Sequence, residues 1–280
     1  MNNSIFLLIF LFFGIKQINA QNTDQEVNSS KHSIQSKILN EERIYEVSLP
    51  DSYNVKEASQ KKYPVLVLLD GNVFFKSISA MVNYMGSDSY RSWKIPELIV
   101  VAVHNVDRRR DYTPDKIVTV RENNSGGGDN FLNFLETELI PEIDSKYRTT
   151  TNRILFGHSL GGLLATHAFM KENSSFTSFL AIDPSFGTWD TETMDKKLSK
   201  LTENSFKRYI YIASANWGKR NINNRDRHVR FYESLNSKCK DTLPAKLEYF
   251  ENETHSSVPL IAFYNGISAI FESDNIRVAE

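Results

Sequence analysis

Apolar and polar positions follow two different rhythms along this chain. Arg43-Ile-Tyr-Glu-Val-Ser-Leu49 alternates residue by residue, the pattern of a strand with one face in solvent. Pro64-Val-Leu-Val-Leu-Leu69 and Leu98-Ile-Val-Val-Ala-Val103 are unbroken runs that suit strands buried on both faces, as in a parallel sheet. Shorter runs at 153–156, 178–182, 208–213 and 246–250 predict four more strands. Between them the spacing turns helical. Over 129–146 it places Phe131, Leu132, Phe134, Leu135, Leu139, Ile140 and Ile143 on one stripe, with Asp129 as the N-cap. Helices are also predicted over 160–171, 191–203, 226–237 and 258–272. Residues 21–40 are polar and predict a loose lead-in. Strand–helix alternation of this kind implies an α/β fold, with a mostly parallel central sheet and helices on both faces. No linker divides residues 21–280, which read as one domain.

The first residues read differently. Residues 5–15 are an apolar run too short to span a bilayer comfortably, and Ile18-Asn19-Ala20 supplies a small residue for cleavage. Residues 1–20 are therefore expected to be a signal peptide, and the protein to be periplasmic or secreted. No later run is long and apolar enough for stable membrane insertion after cleavage. Lys+Arg number 33 against 34 Asp+Glu, a net charge of −1, which argues against a nucleic-acid partner. The one cysteine, Cys239, can form neither an internal disulfide nor a Cys-rich zinc site.

Gly157-His158-Ser159-Leu160-Gly161-Gly162 carries G-x-S-x-G between a predicted strand and a predicted helix. Such a turn lifts a serine hydroxyl out of the sheet, and its glycines leave room for a strained backbone. The helix start aims amide N–H groups at the site, which makes Leu160 N–H one oxyanion donor. Ser159 is the expected nucleophile.

A nucleophilic serine needs a base. Of the six histidines, His255 follows the last predicted strand, where the serine–acid–histidine chain order of a nucleophile-elbow fold places the base; His228 is the fallback. The acid is less defined. The loop Ser214-Ala-Asn-Trp-Gly218 holds no carboxylate, and the next acid downstream is Asp226. Three arrangements stay open. Asp226 orients His255; another group such as Asn216, Asp183, Glu251 or Glu253 does so; or a Ser–His dyad works alone.

Five segments in order make the chain resemble the putative-esterase family of α/β-hydrolases. They are Leu68-Leu-Asp-Gly-Asn72, Asn105-Val-Asp-Arg-Arg-Arg-Asp-Tyr-Thr-Pro114, Gly157–Gly162, Asp183-Pro-Ser-Phe186 and His255-Ser-Ser-Val-Pro-Leu260. That family includes siderophore (enterobactin-type) esterases, esterase D-like enzymes, feruloyl esterases and mycolyltransferases. The resemblance implies the α/β-hydrolase fold, and a second oxyanion donor at the Gly71 or Asn72 amide. Where the family often carries two adjacent aromatics, this chain reads Phe186-Gly-Thr-Trp189.

The expected function is a serine carboxylic-ester hydrolase working through an acyl-enzyme on a small-molecule or polysaccharide-linked ester, a siderophore among the possibilities. No metal or organic cofactor is implied. The same machinery could transfer the acyl group to a hydroxyl, and an inactive binding protein is the reading from another class. Arg108 and Arg110 are expected to clamp a polar or anionic substrate group, internal salt bridging to Asp107 and Asp111 being the other reading. Trp189, with Trp217 and Tyr112, is a candidate for the cleft wall, a core position being its alternative. Ser125-Gly-Gly-Gly128 lacks the Lys-Ser/Thr of a phosphate loop and predicts a flap beside the cleft.

Overall fold

A computed structural model describes residues 29–117, 124–189, 191–201, 207–218, 222–238 and 245–279. The leader-like residues 1–20 and Cys239 lie outside them. In chain order the strands are β1 (Ser29–Ser36), β2 (Glu41–Ser48), β3 (Tyr63–Leu68), β4 (Ile99–Val103), β5 (Thr149–His158), β6 (Ser178–Ile182), β7 (Tyr209–Ala215) and β8 (Ala245–Phe250). The helices are α1 (Gly71–Gly86), α2 (Arg108–Tyr112), α3 (Gly128–Phe134), α4 (Ile140–Lys146), α5 (Leu160–Met170), α6 (Thr191–Ser199), α7 (Ile222–Lys238) and α8 (Val258–Ala279). The strands form one sheet in the order β1-β2-β4-β3-β5-β6-β7-β8. The first two pairings, β1–β2 and β2–β4, are antiparallel, and the remainder are parallel.

The unbroken apolar runs are explained by the two cores. Val65 and Val67 of β3 point into one, with Leu163 and Leu164 of α5 and Phe131 of α3. Leu66 and Leu68 point into the other, against Ile78 and Val82 of α1 and Phe263 and Ile267 of α8. A strand covered on both sides has no polar face, so alternation disappears. Each fully buried Val, Leu or Ile contributes about 1.5–3 kcal/mol by leaving water.

Two expectations change. The segment expected to be a loose lead-in contains β1, which pairs with β2 along its whole length. Ile34 is its one aliphatic residue, so no apolar pattern announces it; the backbone ladder to β2 holds it. The helix expected over 129–146 is three pieces, α3, a π-turn at Leu135–Leu139 and α4. Pro141 lacks an N–H and its ring crowds the preceding turn, which widens in response. The helix cap is Gly127, while Asp129 sits in the first turn and binds His167 and Lys171.

Candidate active site

Three strand ends converge on the site, after β3, β5 and β6. At the end of β5 the chain reverses directly into α5. Ser159 makes that turn with φ 60° and ψ −117°, a conformation that costs of order 1–3 kcal/mol for a non-glycine residue. Gly157 permits it: a Cβ there would lie 2.1 Å from Gly161 O. The backbone is pinned by Ser159 N–H to Ile182 O at 3.0 Å and by Leu163 N–H to Ser159 O at 2.9 Å. The half-buried side chain meets Ser185 Oγ at 3.1 Å.

His255 lies in the turn between β8 and α8. Its Nδ1 bonds to Asp183 Oδ2 at 2.6 Å, and among the described residues Nε2 has no hydrogen-bond partner. The ring is held between two others, His158 with centroids 4.4 Å away and Trp217 also at 4.4 Å. His158 Nε2 donates to His255 O at 2.9 Å. Burial, reinforced by the nearby His255, pushes the pKa of His158 down to about 4, so this imidazole is neutral at neutral pH.

Asp183 ends β6 with φ 41° and is 1% exposed. Burial alone would raise its pKa. Hydrogen bonds from His255, from Trp217 Nε1 at 2.6 Å and from Ala215 N–H at 3.1 Å outweigh that and hold it below the usual carboxylate value. A buried carboxylate against His Nδ1 fixes the imidazole's tautomer and orientation and stabilises its protonated form.

The third strand end, after β3, starts α1. Asp70 turns the chain with φ 55°, and a Cβ on Gly71 would come within 2.7 Å of the β4 backbone at Ala102. The first-turn amides of a helix have no intrahelical acceptor, so Gly71 and Asn72 on α1 and Leu160 on α5 offer N–H groups from adjoining strand ends. A Cβ on Gly161 would lie 3.5 Å from Asp70 Oδ2, which measures how close the two helix starts are.

Several sequence expectations need correction. Asp226 does not meet His255: it is exposed on α7, and Asp183 occupies the imidazole instead. Asn216 is also no orienting group; its Nδ2 donates to Glu251 O and steadies the histidine loop. Arg108 is not free to clamp a substrate. It gives Nε and Nη2 to Asp70 at 2.6 and 3.0 Å and Nη2 to His158 O at 3.1 Å, tying two of the turns together. Arg110 is spent on Glu41 and Asp111. Trp189 is core, 1% exposed, stacked on Phe186 and bonded through Nε1 to Asp115. Tyr112 is buried and holds Asp70 N–H through its hydroxyl. Gly127 and Gly128 bond to Arg110 O and Thr113 O and pack against those segments, so this end of the expected flap is part of the body. Residues 118–123, before it in the chain, lie outside the described residues. Trp217 does reach the site. The turn at Asp183 and the contact between the His158 and His255 rings are what sequence reasoning under-read; the signal for the first was Asp183-Pro184-Ser185 directly after a buried strand.

Comparison with known proteins identifies the family and the fold. The family model described as "Putative esterase" matches residues 36–241. The ferri-bacillibactin esterase BesA of Bacillus subtilis is 27% identical over 216 residues, 70% of this chain and 74% of that protein. The apo-salmochelin esterase of Escherichia coli is 29% identical over 155 residues, 50% of this chain and 46% of that one. Among solved structures, an IroE-like serine hydrolase from Shewanella oneidensis superposes with a TM-score of 0.77 at 29% identity, covering 87% of this chain and 80% of that one.

Proposed function

The chain belongs to the Putative esterase family, and from that membership we propose that it is a serine hydrolase of small-molecule carboxylic esters, of the siderophore-ester type that the relatives' names describe. One observation carries the mechanism: Ser159 stands on a strained strand-to-helix turn directly after His158, whose ring packs against His255, and the Nδ1 of His255 is bonded to a buried aspartate.

In the first half-reaction His255 Nε2 takes the Ser159 proton as Oγ bonds to the ester carbonyl carbon. The carbonyl oxygen becomes an oxyanion that accepts from Leu160 N–H and from the Gly71 or Asn72 amide. The C–O bond of the ester breaks, and the leaving alkoxide takes the proton from His255. In the second half-reaction His255 deprotonates water, which attacks the acyl carbon. Ser159 Oγ leaves and recovers its proton from His255, and the acid is released. Asp183 stays ionised throughout. Arg108 has a role without touching substrate: paired with Asp70, it offsets a negative charge that would otherwise oppose the oxyanion at the start of α1.

Direct hydrolysis of p-nitrophenyl acetate and butyrate tests this reading. Ser159→Ala and His255→Ala are each expected to lower kcat by about 10⁴-fold or more. Activity surviving in both would sink the assignment. A panel of siderophore esters against polysaccharide-linked feruloyl and acetyl esters then decides the substrate class. The apolar run at 5–15 supports export, which N-terminal sequencing of the protein recovered from the periplasm or medium would test.

A further inference from the structure

Ser185 enters neither the nucleophile–base–acid relay nor the oxyanion donors, yet its side chain meets the nucleophile directly. Its Oγ lies 3.1 Å from Ser159 Oγ, and its backbone N–H donates to Ser159 O at 3.0 Å. Two contacts between the same pair of residues fix the hydroxyl's position. Among the described residues Ser159 is the partner of that hydroxyl.

The segment carrying Ser185 is also clamped from behind. Pro184 O accepts from His228 Nε2 at 2.7 Å and from Asn224 Nδ2 at 3.0 Å, both on α7. A carbonyl can only accept, so Nε2 carries the proton, and Nδ1 receives the Ser214 hydroxyl at 3.0 Å. His228 is 0% exposed, and burial pushes its pKa down, so it is held as a neutral donor. Asn224 Oδ1 accepts Gly187 N–H at 3.2 Å on the other side of Ser185. A surface serine without a task would need no such support.

The sheet order decides which side Ser185 approaches from. The amides at Gly71 and Asn72 follow β3, on one side of β5; Ser185 follows β6, on the other. Its hydroxyl therefore meets Ser159 Oγ from the side of β5 away from those amides. Once His255 has taken the Ser159 proton, Oγ can only accept, and Ser185 O–H is the neighbouring donor.

Building on the esterase reading, we propose that Ser185 is a further catalytic residue, whose hydroxyl donates a hydrogen bond to Ser159 Oγ whenever that oxygen carries negative charge. It does so twice per turnover. In acylation it stabilises the charge that builds as the proton moves to His255. In deacylation it stabilises Oγ as the group leaving the acyl carbon, before the proton returns. No bond to Ser185 forms or breaks.

Phosphonylation of Ser159 by a fluorophosphonate tests this on the full chain, because it reads nucleophile activation without any ester being known. The Oγ–P bond forms, fluoride leaves and the proton passes to His255, and intact mass follows the rate. Ser185→Ala is expected to slow labelling about 10- to 100-fold with an unchanged melting temperature. Ser185→Cys, close in shape but a weak donor, is expected to slow it comparably. With p-nitrophenyl acetate, kcat should fall further than KM changes. Wild-type labelling rates in Ser185→Ala would overturn the proposal alone. If Ser185→Ala melts lower, the Cys variant decides: slow labelling at a normal melting temperature supports the role, and fast labelling refutes it. Failure of the wild type to label at Ser159 would instead remove the esterase reading, and this proposal with it.

Discussion

The turn at Ser159 and the turn at Asp183 use the same backbone device to opposite ends. Each closes a buried parallel strand with a non-glycine residue at positive φ, 60° and 41° respectively. After Ser159 a helix begins at once, its first amides without intrahelical acceptors and its serine left half-buried. After Asp183 comes Pro184, which has no N–H to offer and whose carbonyl is clamped by His228 and Asn224. There the side chain is turned inward, where three donors meet it. Strain alone therefore does not mark a nucleophile. The residues just after the strained position decide whether its side chain is presented to solvent or locked beneath a partner.

The largest test of this contrast removes the inward carboxylate's charge. Asp183→Asn keeps the shape but no longer holds the His255 tautomer, and kcat should fall by about 10²- to 10⁴-fold. Asp226→Asn, on the exposed face of α7, should leave kcat within about twofold. Equal losses in the two variants would break the assignment of the acid. Next in size is the third turn. Arg108→Met leaves the Asp70 carboxylate buried with, among the described residues, only Asn105 Nδ2 on it and should cost about 2 kcal/mol in chemical denaturation, less than the about 3–5 kcal/mol of a fully buried pair. An unchanged midpoint would mean that Asp70 does not depend on this arginine.

A slope with pH, not a single loss, is expected at His158, next to Ser159. Its folded pKa, about 4, lies below the ordinary 6.5, so the unfolded chain binds the proton first as pH falls. Its contribution to stability is complete above pH 6.5 and is lost as the pH drops toward 4, at no more than about 1.4 kcal/mol per pH unit. Urea denaturation at a series of pH values should show this slope. His158→Gln, which can still donate to His255 O, should flatten it; an unaltered slope would assign the loss to other groups.

Much of the architecture was legible from the apolar runs. The strand at 178–182 coincides with β6, and Ser159 and His255 were reached from a local motif and from chain order. β1 was not legible, because backbone pairing stabilises it and its sequence is nearly all polar. Trp189, Arg108 and Arg110 resembled cleft residues by type. Their surroundings turned them inward: Asp115 and Phe186 hold the first, and buried carboxylates hold the two arginines.

By itself, the sequence determined what depends on neighbours along the chain: strand and helix periodicity, the strand–serine–helix turn, and the family to which these residues belong. The tertiary structure alone decided which carboxylate meets His255. Asp183 lies 72 residues away and reaches the imidazole because β6, β7 and β8 run side by side and end at the same edge. A contact of that kind depends on register between distant strands, and single-residue chemistry does not encode it.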